Sequence, residues 1–133
     1  MQILSALMTG KGWVNHPATL MWRRYEWALM RYQFYICREW TDRGYKDTCL
    51  EKSRIIYETN LNFEPNKEWP NWLGTERFHI SHQSNLMRKD RVYYSQYFPG
   101  VPDYMEYVWP TQDPDLIALG PSPWWECTNP PLF

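Results

Sequence analysis

Between Pro17 and Gly44 the chain repeats large side chains at a helical spacing. Met21, Tyr25, Ala28, Leu29, Tyr32, Ile36 and Trp40 recur close to a 3.6-residue period, a stripe expected to be buried in the core. Pro17 is suited to the first helical position, because its missing N–H would be unpaired there in any case. Asn15 is a fitting N-cap. Gly44 suits the left-handed position after a helix. The pattern predicts one long central helix over 16–43, and nothing elsewhere alternates with the two-residue period of a strand. The fold class that follows is all-α, a single compact helical domain around that helix.

The flanking segments agree. Residues 2–9 predict a short helix stopped by Gly10 and Gly12. Residues 46–59 predict another, capped by Asp47 or Thr48, with Glu51 in its first turn. Pro65 and Pro70 mark 61–71 as a loop. Residues 75–90 predict a helix with few apolar groups: Phe78, Ile80, Leu86 and Met87. Arg77, Ser81, Ser84 and Arg88 form a polar stripe along one of its faces. A helix that buries so little suggests a surface meeting a polar, anionic ligand. A short helix or turn over 91–98 follows, carrying Tyr93, Tyr94, Tyr97 and Phe98. Pro114, Pro121, Pro123, Pro130 and Pro131 then break any helix. The expected organisation is 1–110 as the helical domain and 111–133 as an irregular Pro/Trp-rich tail, pinned by Trp124, Trp125 and Phe133.

At 133 residues, 18% aromatic, the core should be built from large rings whose polar edges need partners. No run approaches the roughly 18 apolar residues of a membrane span, and no secretory leader pattern opens the chain. Cys37, Cys49 and Cys127 have no metal-type spacing, which fits reduced thiols and a cytoplasmic location. The net charge is −1, but the charges are segregated. Arg23, Arg24, Arg31, Arg38, Arg43 and Lys46 face three acids over 20–46, whereas 98–133 has acids and no Lys or Arg. Arg24, Arg31 and Arg38 are seven apart, about 10 Å per step along a helix, a line that can follow a phosphate backbone or simply form a solvated face.

The candidate DNA-binding residues are Arg24, Arg31, Arg38, Arg77, His79, His82, Ser84, Asn85, Arg88, Lys89 and Tyr93. Cations beside aromatic faces suit phosphate and base contacts. His79 and His82 share a helical face, but no HExxH or paired-cysteine motif accompanies them, so neither metal nor cofactor is expected. Glu26 and His16 are the catalytic candidates. Glu26, the first acid in the chain, could equally pair with Arg23 or Arg24, and His16 could equally hydrogen-bond at a helix start.

Several pieces, in order, carry a family resemblance: Lys11-Gly-Trp-Val-Asn-His-Pro17, Met21-Trp22 with Tyr25-Glu26, Glu39-Trp40 with Arg43-Gly-Tyr45, Trp72-Leu-Gly with Glu76-Arg-Phe-His79, Ser81-His82 with Ser84-Asn-Leu86, Arg88-Lys-Asp90, and Tyr107-Val-Trp-Pro110. Over roughly 1–110 the chain resembles the pyrimidine-dimer DNA glycosylases of the endonuclease V type, in the branch common in actinobacteria and phages. The resemblance implies a small all-α protein that recognises pyrimidine dimers in duplex DNA, flips nucleotides and acts as glycosylase and AP lyase through an imine. It also implies that the N-terminal catalytic segment, with its α-amine nucleophile and nearby Glu, is missing from this chain, so that an inactive form is expected. The alternative is a non-catalytic, phage-encoded binding protein acting on a host protein, located in the host cytoplasm.

Overall fold

The structure is a computed structural model and describes residues 1–117. Those residues are helical, with no strand among them. Seven helices follow one another: α1 (Gln2–Thr9), α2 (Pro17–Leu20), α3 (Glu26–Asp42), α4 (Cys49–Asn60), α5 (Glu76–Lys89), α6 (Arg91–Tyr94) and α7 (Pro114–Ile117). They divide between two compact units, Met1–Pro70 and Asn71–Phe133. None is long and apolar enough to cross a membrane. The expected pinning by Trp124, Trp125 and Phe133 lies outside the described residues.

In the first unit α1 packs against α2, α3 and α4. Leu4, Ala6, Trp22, Ala28, Leu29 and Cys37 are its buried apolar residues. Gly10 closes α1 in the left-handed conformation, φ 67°, with its N–H donating to the Ala6 carbonyl. The expected 16–43 helix is two helices. His16, one residue after the expected cap Asn15, starts α2, its Nδ1 accepting from the Ala18 N–H at 3.1 Å. The chain then turns over 21–25, where Arg24 takes φ 72°, and restarts at Glu26.

That break resets the helical phase. The buried stripe of α3 is Ala28, Leu29, Gln33 and Cys37, with Trp22 supplied by the turn. Tyr32, Ile36 and Trp40, expected in the core, are 44, 51 and 47% exposed. Trp40 instead stacks on Tyr45, ring centroids 4.1 Å apart, and donates from Nε1 to the Lys46 carbonyl. It braces the end of α3, where Gly44 turns at φ 86°.

Gln33 joins α3 to α4, its Nε2 donating to the Ser53 hydroxyl at 2.7 Å and the Cys49 carbonyl at 3.2 Å. Asp47 serves the start of α4, accepting from the Cys49 and Leu50 N–H groups at 3.1 and 2.9 Å.

In the second unit Trp72 and Phe78 are buried against each other, their rings tilted by 52° with centroids 4.8 Å apart. Met87 of α5 is buried too, and the other buried positions of the helix, Ser81, Ser84 and Asn85, are polar. Its polar stripe meets the chain's own backbone, which returns antiparallel to the helix. Arg88 donates to the Asp103 and Met105 carbonyls, both at 2.9 Å. Asn85 Nδ2 donates to the Met105 carbonyl at 3.2 Å. The Ser84 hydroxyl accepts from the Met105 N–H at 3.0 Å, and the Ser81 hydroxyl from the Val108 N–H at 3.0 Å. Arg77 ends the series on the Asp113 carboxylate at 2.8 Å. An irregular segment cannot satisfy its own backbone, and here a helix face of hydroxyls, amide and guanidinium does so instead.

Candidate nucleic-acid interface

The candidate residues fall in both units. In the first, Arg24 is exposed in the turn before α3, and its backbone N–H donates to Glu26 Oε1 at 3.0 Å. Only Arg31 and Arg38 of the expected line lie on the helix. The Arg31 guanidinium sits 5.9, 5.9 and 5.7 Å from the ring centroids of Trp27, Phe34 and Tyr35, a cation held by aromatic faces. Arg38 is half exposed and 3.8 Å from Asp42, a spacing that solvent makes weak.

Glu26 opens α3, where a carboxylate is favoured by the helix dipole. It also lies near Tyr57, whose hydroxyl is buried with no hydrogen-bond partner. Burial, and secondarily the Glu26 charge, push the Tyr57 phenol above its ordinary range. Trp13 is 66% exposed and meets His16 edge-on at 5.6 Å. With Gln2, Ile3, Ala18 and Thr19 these two line a cavity of about 240 Å³. Thr19 is 1% exposed and its hydroxyl has no partner.

In the second unit Ser84 and Asn85 are buried, and Arg77, Ser84, Asn85 and Arg88 make the intramolecular bonds just described. His79 Nε2 accepts from the Gly74 N–H at 2.9 Å. His82 Nδ1 lies 3.0 Å from the Phe78 carbonyl, which makes it the protonated nitrogen of the neutral ring. Its Nε2 is buried without a partner among Phe78, Tyr107 and Trp109. Burial lowers the pKa of both histidines. Lys89 is exposed at the end of α5. Tyr93, 52% exposed, stands in a ring series with Tyr94 and Tyr97. Among the described residues no cluster of three or more His, Cys, Asp or Glu is placed to hold a metal ion.

Two features escaped the sequence reading. The Glu26–Tyr57 neighbourhood joins residues about thirty positions apart, and no local pattern announces it. The grouping of Cys37, Asp47 and Cys49 depends on how α4 folds back on α3.

The family model described as pyrimidine dimer DNA glycosylase matches residues 1–53. The match spans α1, α2, α3 and the first turn of α4, and includes Trp13, His16, Arg24, Glu26, Arg31 and Arg38. Neither a curated protein nor a solved structure matches the chain.

Proposed function

We propose that this chain is a DNA-repair protein of the glycosylase type that engages damaged duplex DNA. The observation that carries the reading is the family match over 1–53. The structure supports it in two ways. Arg24 is a non-glycine residue in left-handed backbone, a conformation kept where the surroundings impose it and common at working sites. The unit that carries the match also presents a cation beside aromatic rings, Arg31 against Trp27, Phe34 and Tyr35, the chemistry of phosphate and base contact. In this reading Arg24 and Arg38 approach phosphates, Arg31 works within its aromatic faces, and Glu26 is the acid/base candidate. The finer expectations go with it: pyrimidine dimers as the lesion, the actinobacterial and phage branch, and a cytoplasmic location.

The test is binding to one duplex with and without a pyrimidine dimer, across a salt series. Phosphate neutralisation makes log K fall with log salt. Arg24→Ala should weaken binding on all sequences and flatten the slope by about one unit. Borohydride trapping on the dimer-containing duplex then reports catalysis, since a covalent adduct requires an imine and therefore a neutral amine. Lack of binding to either duplex at low salt rejects the reading.

A second reading, a non-catalytic partner-binding protein, is favoured by one observation. Met1, Ile3, Leu29, Tyr32, Ile36 and Trp40 line an open, largely apolar cavity of about 840 Å³ in the first unit. Exposed apolar surface of this kind is a common mark of protein contact.

A further inference from the structure

We infer that the turn over 72–75 is an acid-released latch, closed on α5 by the neutral ring of His79 and opened when that ring takes up a proton.

One hydrogen bond here has a direction that depends on charge. His79 Nε2 accepts from the Gly74 backbone N–H at 2.9 Å. A ring nitrogen that accepts carries no proton, so the proton of the neutral ring is on Nδ1. In the imidazolium both nitrogens are donors. The Nε2–H then points at the Gly74 N–H, and the pair no longer holds at hydrogen-bond distance. A carbonyl acceptor in the same place would be indifferent to pH.

The surroundings keep the release local. Gly74 is exposed and takes φ 89°, a backbone that glycine adopts without a side-chain penalty. Water receives its N–H as soon as the ring lets go. The N-cap of α5, Thr75, makes no side-chain capping bond; His79, a turn further on, takes a backbone N–H of the preceding turn instead. The helix start has its own bonds, Thr75 N–H to the Trp72 carbonyl and His79 N–H to the Thr75 carbonyl, both at 3.1 Å.

The groups around the ring set the pH at which it opens. Burial first, then the neighbouring His82, disfavour the charged ring. On α5, Glu76 lies one turn earlier, and Arg77 is paired with Asp113 and Asp115. Beyond the helix, Asp103 is paired with Arg91 of α6, and Glu106 is exposed. None of these adds to the effects of burial and His82, so no carboxylate holds a proton on His79 in the closed form. In the open form the ring is hydrated and titrates near the ordinary histidine value, about 6.5. Opening therefore binds a proton that the closed form resists, and acid favours the open turn. The latch is closed at neutral pH and opens as pH falls below about 6.5.

The experiment follows the full chain, nitrogen-labelled, by NMR from about pH 8 down to about pH 5. The His79 ring nitrogens report protonation and the Gly74 amide reports the latch. At the upper end Nε2 should carry the signature of an unprotonated acceptor. The exchange protection of the Gly74 amide should then fall about five- to tenfold in step with His79 protonation, the scale of one lost hydrogen bond. The Asp90 and Met105 amides, bonded to Leu86 and Ser84 of α5, should keep their protection, which separates local release from unfolding. His79→Gln offers an acceptor oxygen that does not titrate, and its Gly74 protection should stay level across the series. Level Gly74 protection in the unaltered chain while His79 protonates overturns the proposal. So does an equally steep fall in His79→Gln, or a fall shared by Asp90 and Met105. If His79→Gln does not fold, the unaltered chain decides alone, on whether the Gly74 and His79 curves share one midpoint.

Discussion

The two helical units are held together by different chemistry. In Met1–Pro70 α1 meets its neighbours through apolar groups, with Leu4 and Ala28 fully buried, and a buried polar contact, Gln33 with Ser53, joins α3 to α4. Ion pairs there are local and exposed, Arg43 with Glu39 and Arg54 with Glu51 and Glu58, the class that adds little to stability. In the second unit the long helix α5 presents fully buried hydroxyls, Ser81 and Ser84, to backbone N–H groups twenty or more residues away. The difference shows that a greaseless helix face is no sure sign of a ligand surface. It is equally the partner required by a stretch of chain that has no ladder of its own.

The comparison breaks most easily at the apolar end. Leu4→Ala should cost about 2–5 kcal/mol, as a cavity opens where α1 meets its neighbours. Trp40→Ala, although it deletes a far larger side chain, should cost only about 1 kcal/mol, the scale of an exposed ring stack. Urea midpoints with unchanged m-values would check both. A Trp40→Ala loss matching that of Leu4→Ala would return Trp40 to the core.

The next effect probes the polar end. Ser84→Ala removes the acceptor for the Met105 N–H inside a part-buried contact. It should cost about 1–3 kcal/mol, because the donor is left unsatisfied rather than replaced. Faster amide exchange at Met105, with Val108 still protected by Ser81, would localise the loss. An unchanged midpoint would mean that water replaces the hydroxyl freely, and the contrast between the units would weaken.

These two cases show what the sequence made legible. Helix identity was readable for α1, α4 and α5, because Gly10, Asp47 and the 3.6-residue period act locally. The all-α class followed. The break over 21–25 was not readable, since the apolar spacing runs straight through it and only Arg24 departs, by adopting a backbone that its side chain does not advertise. Extending the period across the break placed Ile36 and Trp40 inward, whereas the polar Gln33 and the small Cys37 hold the buried positions after Ala28 and Leu29. The polar stripe on α5 was found correctly as a pattern. Its partner, the segment around Met105 and Val108, was invisible because nothing in 101–109 has a period of its own. Of the candidate interface, residue types were legible and their engagements were not.

A smaller, pH-dependent effect belongs to the second unit. His79 and His82 are held neutral by burial, and the nearby His82 adds to the effect on His79. Each therefore binds fewer protons folded than unfolded once pH falls below about 6.5. Their contribution is present above that value and is lost as pH drops through it toward the lowered folded values. Urea midpoints measured from about pH 8 down to about pH 5 should decline, and His82→Phe should flatten the decline. A decline as steep in His82→Phe would assign it to carboxylates instead.

The smallest expected effect has the opposite sign and lies in the first unit. Arg24 has φ 72° in an exposed turn, and its recorded hydrogen bond, to Glu26, is made by its backbone N–H. Left-handed backbone costs an L-residue about 1–2 kcal/mol. Glycine avoids that cost, but its own loss of freedom on folding returns about 0.5–1 kcal/mol. Arg24→Gly should therefore stabilise the chain by no more than about 1 kcal/mol. Arg88→Ala makes the contrast, for that guanidinium holds the Asp103 and Met105 carbonyls and its loss should destabilise. The pair separates structure from function as well. If Arg24 is kept for DNA, Arg24→Gly raises the urea midpoint while weakening duplex binding. A variant that loses stability would show that the Arg24 side chain itself supports the turn, and would remove backbone strain as an argument for a working site there.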